Sequence, residues 1–392
     1  MDKIEPLSLG EKVDFYARLL FYGKLFRHQV LESSLTYPVP PVVIQEMIKT
    51  LITATKRGLP FKEYLVATMI RTQLTCFTER QQLSLSNTNT SQRYEQWIEK
   101  EAKAHNVSPI KDTVVLADGS TKLHWIRKTE SKSPKVALVF HGGGYYLPPG
   151  AGHLNVYSHI INASCSTTKT VAVAVLEYDY TTQSKYPRQL QQASLALQHL
   201  LQLGYEPGDI FIGGDSAGGH LTVTLLSHLM HKHPSVPSVD LSGPLAGAFM
   251  ISPWVSGEDS TVSFRENAWI DMLAHQTIVP NAAFLVPFHV RQAEAENKQG
   301  WAMALAADED WWLTLPEVVS NIHITAGEQE IFRDHVIMLA DIMRKKAPKC
   351  KIQLEVGVKE QHVHMVLWDI VQAPENPALR RLNEWFITVL QE

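Results

Sequence analysis

The sequence predicts an α/β protein: a mostly parallel central sheet, covered by helices on both faces, with a helical cap. Three observations predict it. Apolar, β-branched runs such as Lys135 to Phe140 and Thr170 to Glu177 alternate with helical-period segments from about residue 112 onward, as in buried parallel strands joined by crossover helices. Two of these runs end in glycine-rich turns, His141-Gly142-Gly143-Gly144 and Gly213-Gly214-Asp215-Ser216-Ala217-Gly218-Gly219. Two long stretches, the first hundred or so residues and about Trp254 to Pro316, carry no clean strand pattern and read as helical additions to the sheet.

Taken in order, Ser8-Leu9-Gly10-Glu11 has the form of a capping box and opens a helix through about Leu31. Its apolar residues cover more than half of its circumference, so it must bury against something: it packs on the body of the protein, or else serves as a lid or as a membrane-surface helix in peripheral contact with a membrane. A second helix is expected over Val42 to Lys56, ended by Gly58 and Pro60, and a third over Phe61 to Phe77. The polar, aperiodic Gln81 to Gln92 reads as an exposed loop, and Tyr94 to His105 as a short surface helix. Asp112 to Ala117 and Thr121 to Ile126 flank the turn Asp118-Gly119-Ser120, a hairpin signal. Then come the strand ending at His141, the run Thr170 to Glu177, a helix from Pro187 to about Leu203, and the strand before Ser216. A helix over Ala217 to about His231 follows, with strands at Ala246 to Ile251, Asn321 to Thr325 and Cys350 to Val356, and a closing amphipathic helix over Arg380 to Leu390. The divisions are therefore 1–105, an N-terminal helical cap region; 106–254, the first part of the core; 255–315, a cap insertion holding Trp269, Trp301, Trp311 and Trp312; and 316–392, the second part of the core. The insertion is expected to roof the site and shape an apolar pocket.

The chain has 392 residues, 45% of them hydrophobic and 19% charged, which describes a soluble globular protein with ample core. A formal net charge of −4 gives no reason to expect nucleic acid as a partner. Cys76, Cys165 and Cys350 are widely spaced and odd in number, so they read as buried structural thiols rather than as a disulfide framework or metal ligands. No secretory signal and no transmembrane span is visible, which points to a cytoplasmic setting. Three glycosylation sequons, at Asn89, Asn106 and Asn162, are then chance matches.

The chemistry is carried by the two glycine turns. Glycines at a strand end let peptide N–H groups point into a cleft, where fixed donors stabilise a developing oxyanion. Gly214-Asp215-Ser216-Ala217-Gly218 is a G-x-S-x-G nucleophile elbow, with the HGGG-type motif upstream in the expected order. A nucleotide site is disfavoured: no G-x-G-x-x-G opens at Gly142, and no lysine follows either turn as in a P-loop. The oxyanion donors would be the N–H groups of Gly143, Gly144 and Ala217. His141 is expected to brace its loop, and Asp215 to point away from the nucleophile.

A serine hydroxyl needs a base, and the base a third group to orient it; in this architecture the acid comes next in the chain and the histidine last. Glu330, in the polar loop after Ile322 to Thr325, is the preferred acid, ahead of Asp334 and Glu328. His362 and His364 both fall in the loop after the last strand, taken to run to Val358. His364 is preferred because Met365 to Trp368 can anchor it, with His362 as the alternate. Alternating histidines would also suit a metal, but no cysteine or carboxylate accompanies them at ligand spacing, so no metal and no organic cofactor is expected.

On these residues the chain resembles the hormone-sensitive-lipase-like branch of the α/β-hydrolase fold. His141 to Tyr145 and Gly214 to Gly219 carry the resemblance, with Gly327 to Glu330, Arg333-Asp334 and Tyr186-Pro187 in support. It covers roughly Asp112 to the C-terminus, and is nearest to fungal-type esterases, sterol-acetate deacetylases among them. It implies N-terminal helices and an insertion after the sixth strand forming a cap. The chain departs in having Glu330 where aspartate is commoner, His-Val-His-Met where His-Gly-Phe is usual, and no membrane anchor. The implied activity is a serine carboxylesterase acting on a small-molecule substrate, a medium-sized hydrophobic ester such as an acetylated natural product. The alternatives are a condensation or cyclisation enzyme of a natural-product pathway using the same pocket, and a small-molecule receptor.

Overall fold

The computed structural model describes residues 8, 11, 41–126, 135–371 and 376–392. Helices α1 (Pro41–Arg57), α2 (Phe61–Cys76), α3 (Glu79–Ser86) and α4 (Thr90–Ala104) precede the first strand. The core then runs β1 (Thr113–Val115), β2 (Lys122–Ile126), β3 (Lys135–Phe140), α5 (Ala151–Ser164), β4 (Val171–Glu177), α6 (Arg188–Gln202), β5 (Ile210–Asp215), α7 (Ala217–Met230) and β6 (Gly247–Ile251). Three helices, α8 (Val262–Asn267), α9 (His275–Leu285) and α10 (Phe288–Glu296), and two short 3-10 turns fill the next stretch. The chain closes with α11 (Leu315–Val318), β7 (Asn321–Gly327), α12 (Arg333–Lys346), β8 (Lys351–Gly357), α13 (His364–Val371) and α14 (Pro377–Gln391).

The eight strands form one sheet in the order β1-β2-β4-β3-β5-β6-β7-β8. β1 and β2 form the expected hairpin and β2 runs antiparallel to β4; every later pairing is parallel. Strand residues alternate between two apolar layers because successive side chains point to opposite faces. Val136, Leu138 and Phe140 pack with Leu190 and Leu197 of α6, Leu221 of α7 and Leu339 of α12. Ala137 and Val139 pack with Tyr157 and Ile160 of α5 and with Leu382 and Phe386 of α14. Both faces are thus covered, which is why the parallel strands read as unbroken apolar runs.

Two expectations change. Gln81 to Gln92 is not a loop: α3 occupies its first half, and α4 begins at Thr90. Each helix is opened by a capping box, Thr78 with Gln81 and Asn89 with Gln92, a four-residue signal independent of apolar period. Of the cysteines, Cys76 and Cys350 are buried but Cys165 is exposed, since it stands just past the end of α5. Ser8 and Glu11 make the reciprocal hydrogen bonds of a capping box, 2.8 and 3.3 Å; the remainder of the helix expected to Leu31 lies outside the described residues. Among the described residues no helix is long and apolar enough to cross a membrane.

Candidate active site

The segments singled out in the sequence meet at the carboxyl ends of the parallel strands: the glycine turn after β3, Ser216 after β5, Glu330 after β7 and His362 after β8. Open α/β sheets place ligands there because the connections diverge at that edge.

Ser216 is held at φ +52° and ψ −113°, a backbone conformation that non-glycine residues rarely adopt, between the end of β5 and the first turn of α7. A Cβ at Gly214 or Gly218 would collide with the carbonyl oxygen of Phe140, so the turn can approach β3 this closely only with glycine at both positions. On the β3 side, Gly143 and Gly144 have φ of +106° and +61°. The N–H of Gly142 donates to Asp215 Oδ1 at 3.1 Å, whereas no protein acceptor among the described residues takes the N–H groups of Gly143 and Gly144. Both glycines and Ser216 line the same cavity. Ala217 is the first residue of α7, where backbone N–H groups have no partner within the helix.

His362 is fully buried, and its Nε2 lies 2.9 Å from Ser216 Oγ. Its Nδ1 faces Glu330 Oε2 at 3.6 Å, a charge contact longer than a hydrogen bond, with both side chains 0% exposed. Ser252, at φ +47°, ties the two loops together: its hydroxyl donates to Glu330 Oε2 at 2.6 Å and accepts the N–H of Val363 at 3.2 Å. Burial pushes the His362 imidazole down, but Glu330, then Asp271 and Asp215, outweigh it and hold the imidazole above its ordinary value.

The preference for His364 is corrected. Its Nε2 faces Glu63 of α2 at 3.8 Å rather than Ser216. Val363 takes φ +44° between the two histidines, so the chain turns there, and His364 opens α13 instead of continuing toward Ser216. The expected anchoring by Met365 to Trp368 is real in part, since Met365, Val366 and Leu367 are buried, but it fixes the turn that presents His362. The other acids also look elsewhere. Asp334 Oδ2 accepts the N–H of Ser263 at 2.7 Å, and Glu328 Oε2 that of Lys359 at 2.9 Å.

Two groups near the serine are occupied. His141 Nδ1 is 2.7 Å from the Gly142 carbonyl, its Nε2 is 3.1 Å from Thr90 Oγ1, and burial pushes it down to about 4. Asp215 accepts from Tyr157 Oη at 3.2 Å and faces His153 Nε2 at 3.2 Å. Burial raises that carboxyl, yet His153 brings it below the ordinary value. Ser252, His153 and Asp271 belong to the site but to neither glycine turn nor to the acid and histidine loops. Only Ser252, standing directly after the apolar run of β6, carried a usable signal.

The cavity beside Ser216 measures about 450 Å³. Its walls are Ile70 and Leu74 of α2, Met272, Leu273 and Ile278 of the inserted stretch, Trp254 and Phe332 beside the serine, and Val366 and Leu367 of α13. Lys100 also reaches it from α4. Among the described residues no cluster of three or more His, Cys, Asp or Glu could hold a metal ion.

A family model described as the alpha/beta hydrolase fold matches residues 137–366. An acetyl-hydrolase of Streptomyces hygroscopicus is 30% identical over 140 residues, 36% of this chain and 42% of the relative. The arylacetamide deacetylase of Bos taurus is 29% identical over 232 residues, 54% of this chain and 55% of the relative. The matches to these two relatives therefore span about half of their length. Among solved structures, an esterase from the bacterial hormone-sensitive lipase family superposes with a TM-score of 0.57 at 23% identity, over 84% of this chain and 98% of that one; at this identity the likeness speaks for the fold.

Proposed function

Because this chain belongs to the α/β-hydrolase fold family, we propose that it is a serine carboxylesterase, with Ser216 as nucleophile, His362 as base and Glu330 as acid. The observation that carries this is the 2.9 Å approach of His362 Nε2 to Ser216 Oγ. The Ser216 hydroxyl gives its proton to His362 as it attacks the ester carbonyl. The N–H groups of Gly143, Gly144 and Ala217 receive the negative charge that develops on the carbonyl oxygen. Glu330 holds the imidazole in orientation and favours the imidazolium, which then protonates the departing alcohol. Water clears the acyl-enzyme by the same route in reverse. None of these steps calls on a metal or an organic cofactor.

The substrate we infer is a medium-sized hydrophobic ester with a small acyl group. An apolar cavity of about 450 Å³ supports the size and polarity, and the acetyl-hydrolase and deacetylase names of the two relatives support the small acyl group. We also assign a cap: of the two stretches 1–105 and 255–315, the described residues 41–105 and 255–315 lie over the described residues of the core parts 106–254 and 316–392. Ile70 and Leu74 from the first and Met272, Leu273 and Ile278 from the second line the cavity, which supports that division.

The test is labelling by a fluorophosphonate together with turnover of p-nitrophenyl acetate and butyrate. Native protein is expected to label and to hydrolyse both, and Ser216→Ala to do neither. An unlabelled native protein, or labelling that persists in Ser216→Ala, would refute the assignment.

A further inference from the structure

Outside the catalytic set, a chain of buried polar groups joins the N-terminal helices to the turn that carries Glu330. Asp271 is fully buried, and its Oδ2 accepts the N–H of Ile331, the residue directly after Glu330, at 2.7 Å. The backbone carbonyl of Asp271 accepts from Arg71 Nη1 of α2 at 2.5 Å. That guanidinium is itself buried, and donates further to Thr50 Oγ1 at 2.8 Å and Glu46 Oε2 at 3.3 Å, both on α1. Asn267, at the end of α8, grips the other side of the same turn, its Nδ2 donating to the carbonyls of Glu330 at 2.8 Å and Glu328 at 3.2 Å. Its Oδ1 accepts from Arg57 Nη1 of α1 at 2.7 Å.

Burying an arginine and a carboxylate is a poor way to dock helices for stability, because desolvation offsets much of what the contacts return. A fully satisfied buried network does hold one geometry rigidly. Here the geometry held is that of Glu330. The same segments also meet the cavity: Met272 and Leu273 follow Asp271, and Ile70 and Leu74 flank Arg71.

We propose that Asp271 is a positioning residue for Ser216, His362 and Glu330: it fixes the acid-bearing turn against the N-terminal helices and sets a second buried carboxylate in the field of His362. This rests on the esterase reading. The charged and titratable groups facing Asp271 are Glu330 and His362 on the core side and Arg71 and Tyr64 from α2, with Glu46 of α1 beyond Arg71. Burial pushes the Asp271 carboxyl up to about 6, with His362 acting to lower it and Glu330 to raise it. Above that pH the ionised carboxylate favours the imidazolium, which His362 becomes as Ser216 surrenders its proton.

The experiment is the pH dependence of kcat/KM for p-nitrophenyl butyrate in native protein, Asp271→Asn and Asp271→Ala, with active sites counted by fluorophosphonate. Asp271→Asn keeps an oxygen for the Ile331 N–H and removes the charge. Its acid limb is expected to move to lower pH by roughly half a unit or more. Its kcat should fall about tenfold while KM stays within about twofold. Asp271→Ala loses the hydrogen bond as well and should fall further; if it does not fold, the asparagine variant decides alone. An Asp271→Asn enzyme whose acid limb does not move overturns the proposal whatever its kcat, because a merely structural aspartate can lower activity but does not shift the titration of His362. A native protein that neither labels nor turns over the ester overturns the esterase reading beneath it instead.

Discussion

Two histidine–carboxylate pairs stand two residues apart in this chain. His362 faces Glu330 at 3.6 Å and His364 faces Glu63 at 3.8 Å. By separation alone they are nearly equivalent. They differ in their surroundings: the first pair is 0% exposed on both sides, while the second keeps 12% and 16% of its side-chain surface. The same charges at the same distance interact far more strongly where water is shut out. Only the first pair has a hydroxyl waiting on the opposite ring nitrogen. A histidine and an acid in contact therefore do not by themselves single out a base; His362 is proposed for its burial and for the group on the far side of the ring.

The largest effect that could break this comparison is on turnover. His362→Ala is expected to lower kcat for p-nitrophenyl butyrate on the order of 10⁵-fold or more, because the unit works only when complete. His364→Ala should leave kcat within about threefold of native, since the residue it removes meets Glu63 and not the serine. Active-site-titrated kinetics on both variants decide the matter. The reverse order of losses would mean that the loop rearranges when substrate binds and that His364 is the base.

How much of this was legible beforehand follows the range of the interactions. The glycine turns are local: Gly143, Gly144, Gly214 and Gly218 stand where the backbone needs left-handed angles or where a Cβ would strike Phe140, so a few consecutive letters carry the signal. The alternation of strands and helices is equally local, and the sheet follows from it. The choice between His362 and His364 is not. It depends on Val363 turning at φ +44° and on Ser252, 111 positions away, accepting the Val363 N–H. Asp271 was invisible for the same reason: its partners Arg71 and Ile331 lie 200 and 60 positions away. The helix over residues 79–86 has no apolar period to announce it, and its only local signal is the cap formed by Thr78 and Gln81.

The other buried histidines sharpen the contrast and predict a smaller effect, on stability. His362 is kept above its ordinary value by carboxylates. Burial, with no carboxylate in contact, takes His220 down to about 4 and His323 to about 3. The unfolded chain protonates these two rings at the ordinary histidine value of about 6.5, and the folded chain only near 4 or below. Between those limits the unfolded state binds more protons, so stability falls as the pH is lowered through that window and is fully present above it. Each such ring contributes a slope of about 1.4 kcal/mol per pH unit there. Urea midpoints at pH 7.5, 6, 5 and 4.5 should decline progressively, and His323→Gln should flatten the decline. A midpoint that stays constant down to pH 4.5 would show that both rings already carry their protons in the folded protein.

The smallest predicted effect tests the comparison at its weaker member. If surroundings rather than spacing make His362 the base, the pair between His364 and Glu63 is an ordinary partly exposed contact. Such pairs are worth about 0–1 kcal/mol, because water screens the attraction and two side chains lose freedom in making it. Burial raises the Glu63 carboxyl, and His364 only partly offsets that, so the glutamate gains little from its partner. Glu63→Gln is therefore expected to shift the urea midpoint by an amount equivalent to less than about 1 kcal/mol. It should also leave the acid limb of kcat/KM in place, since the limb follows His362. Glu63 does sit beside the base loop, its carbonyl accepting from Gln361 Nε2 at 3.4 Å, but that contact is through the backbone and survives the substitution. A limb that moves in Glu63→Gln by as much as in Asp271→Asn would mean that the outer carboxylate reaches the imidazole after all, and that burial is not what separates the two pairs.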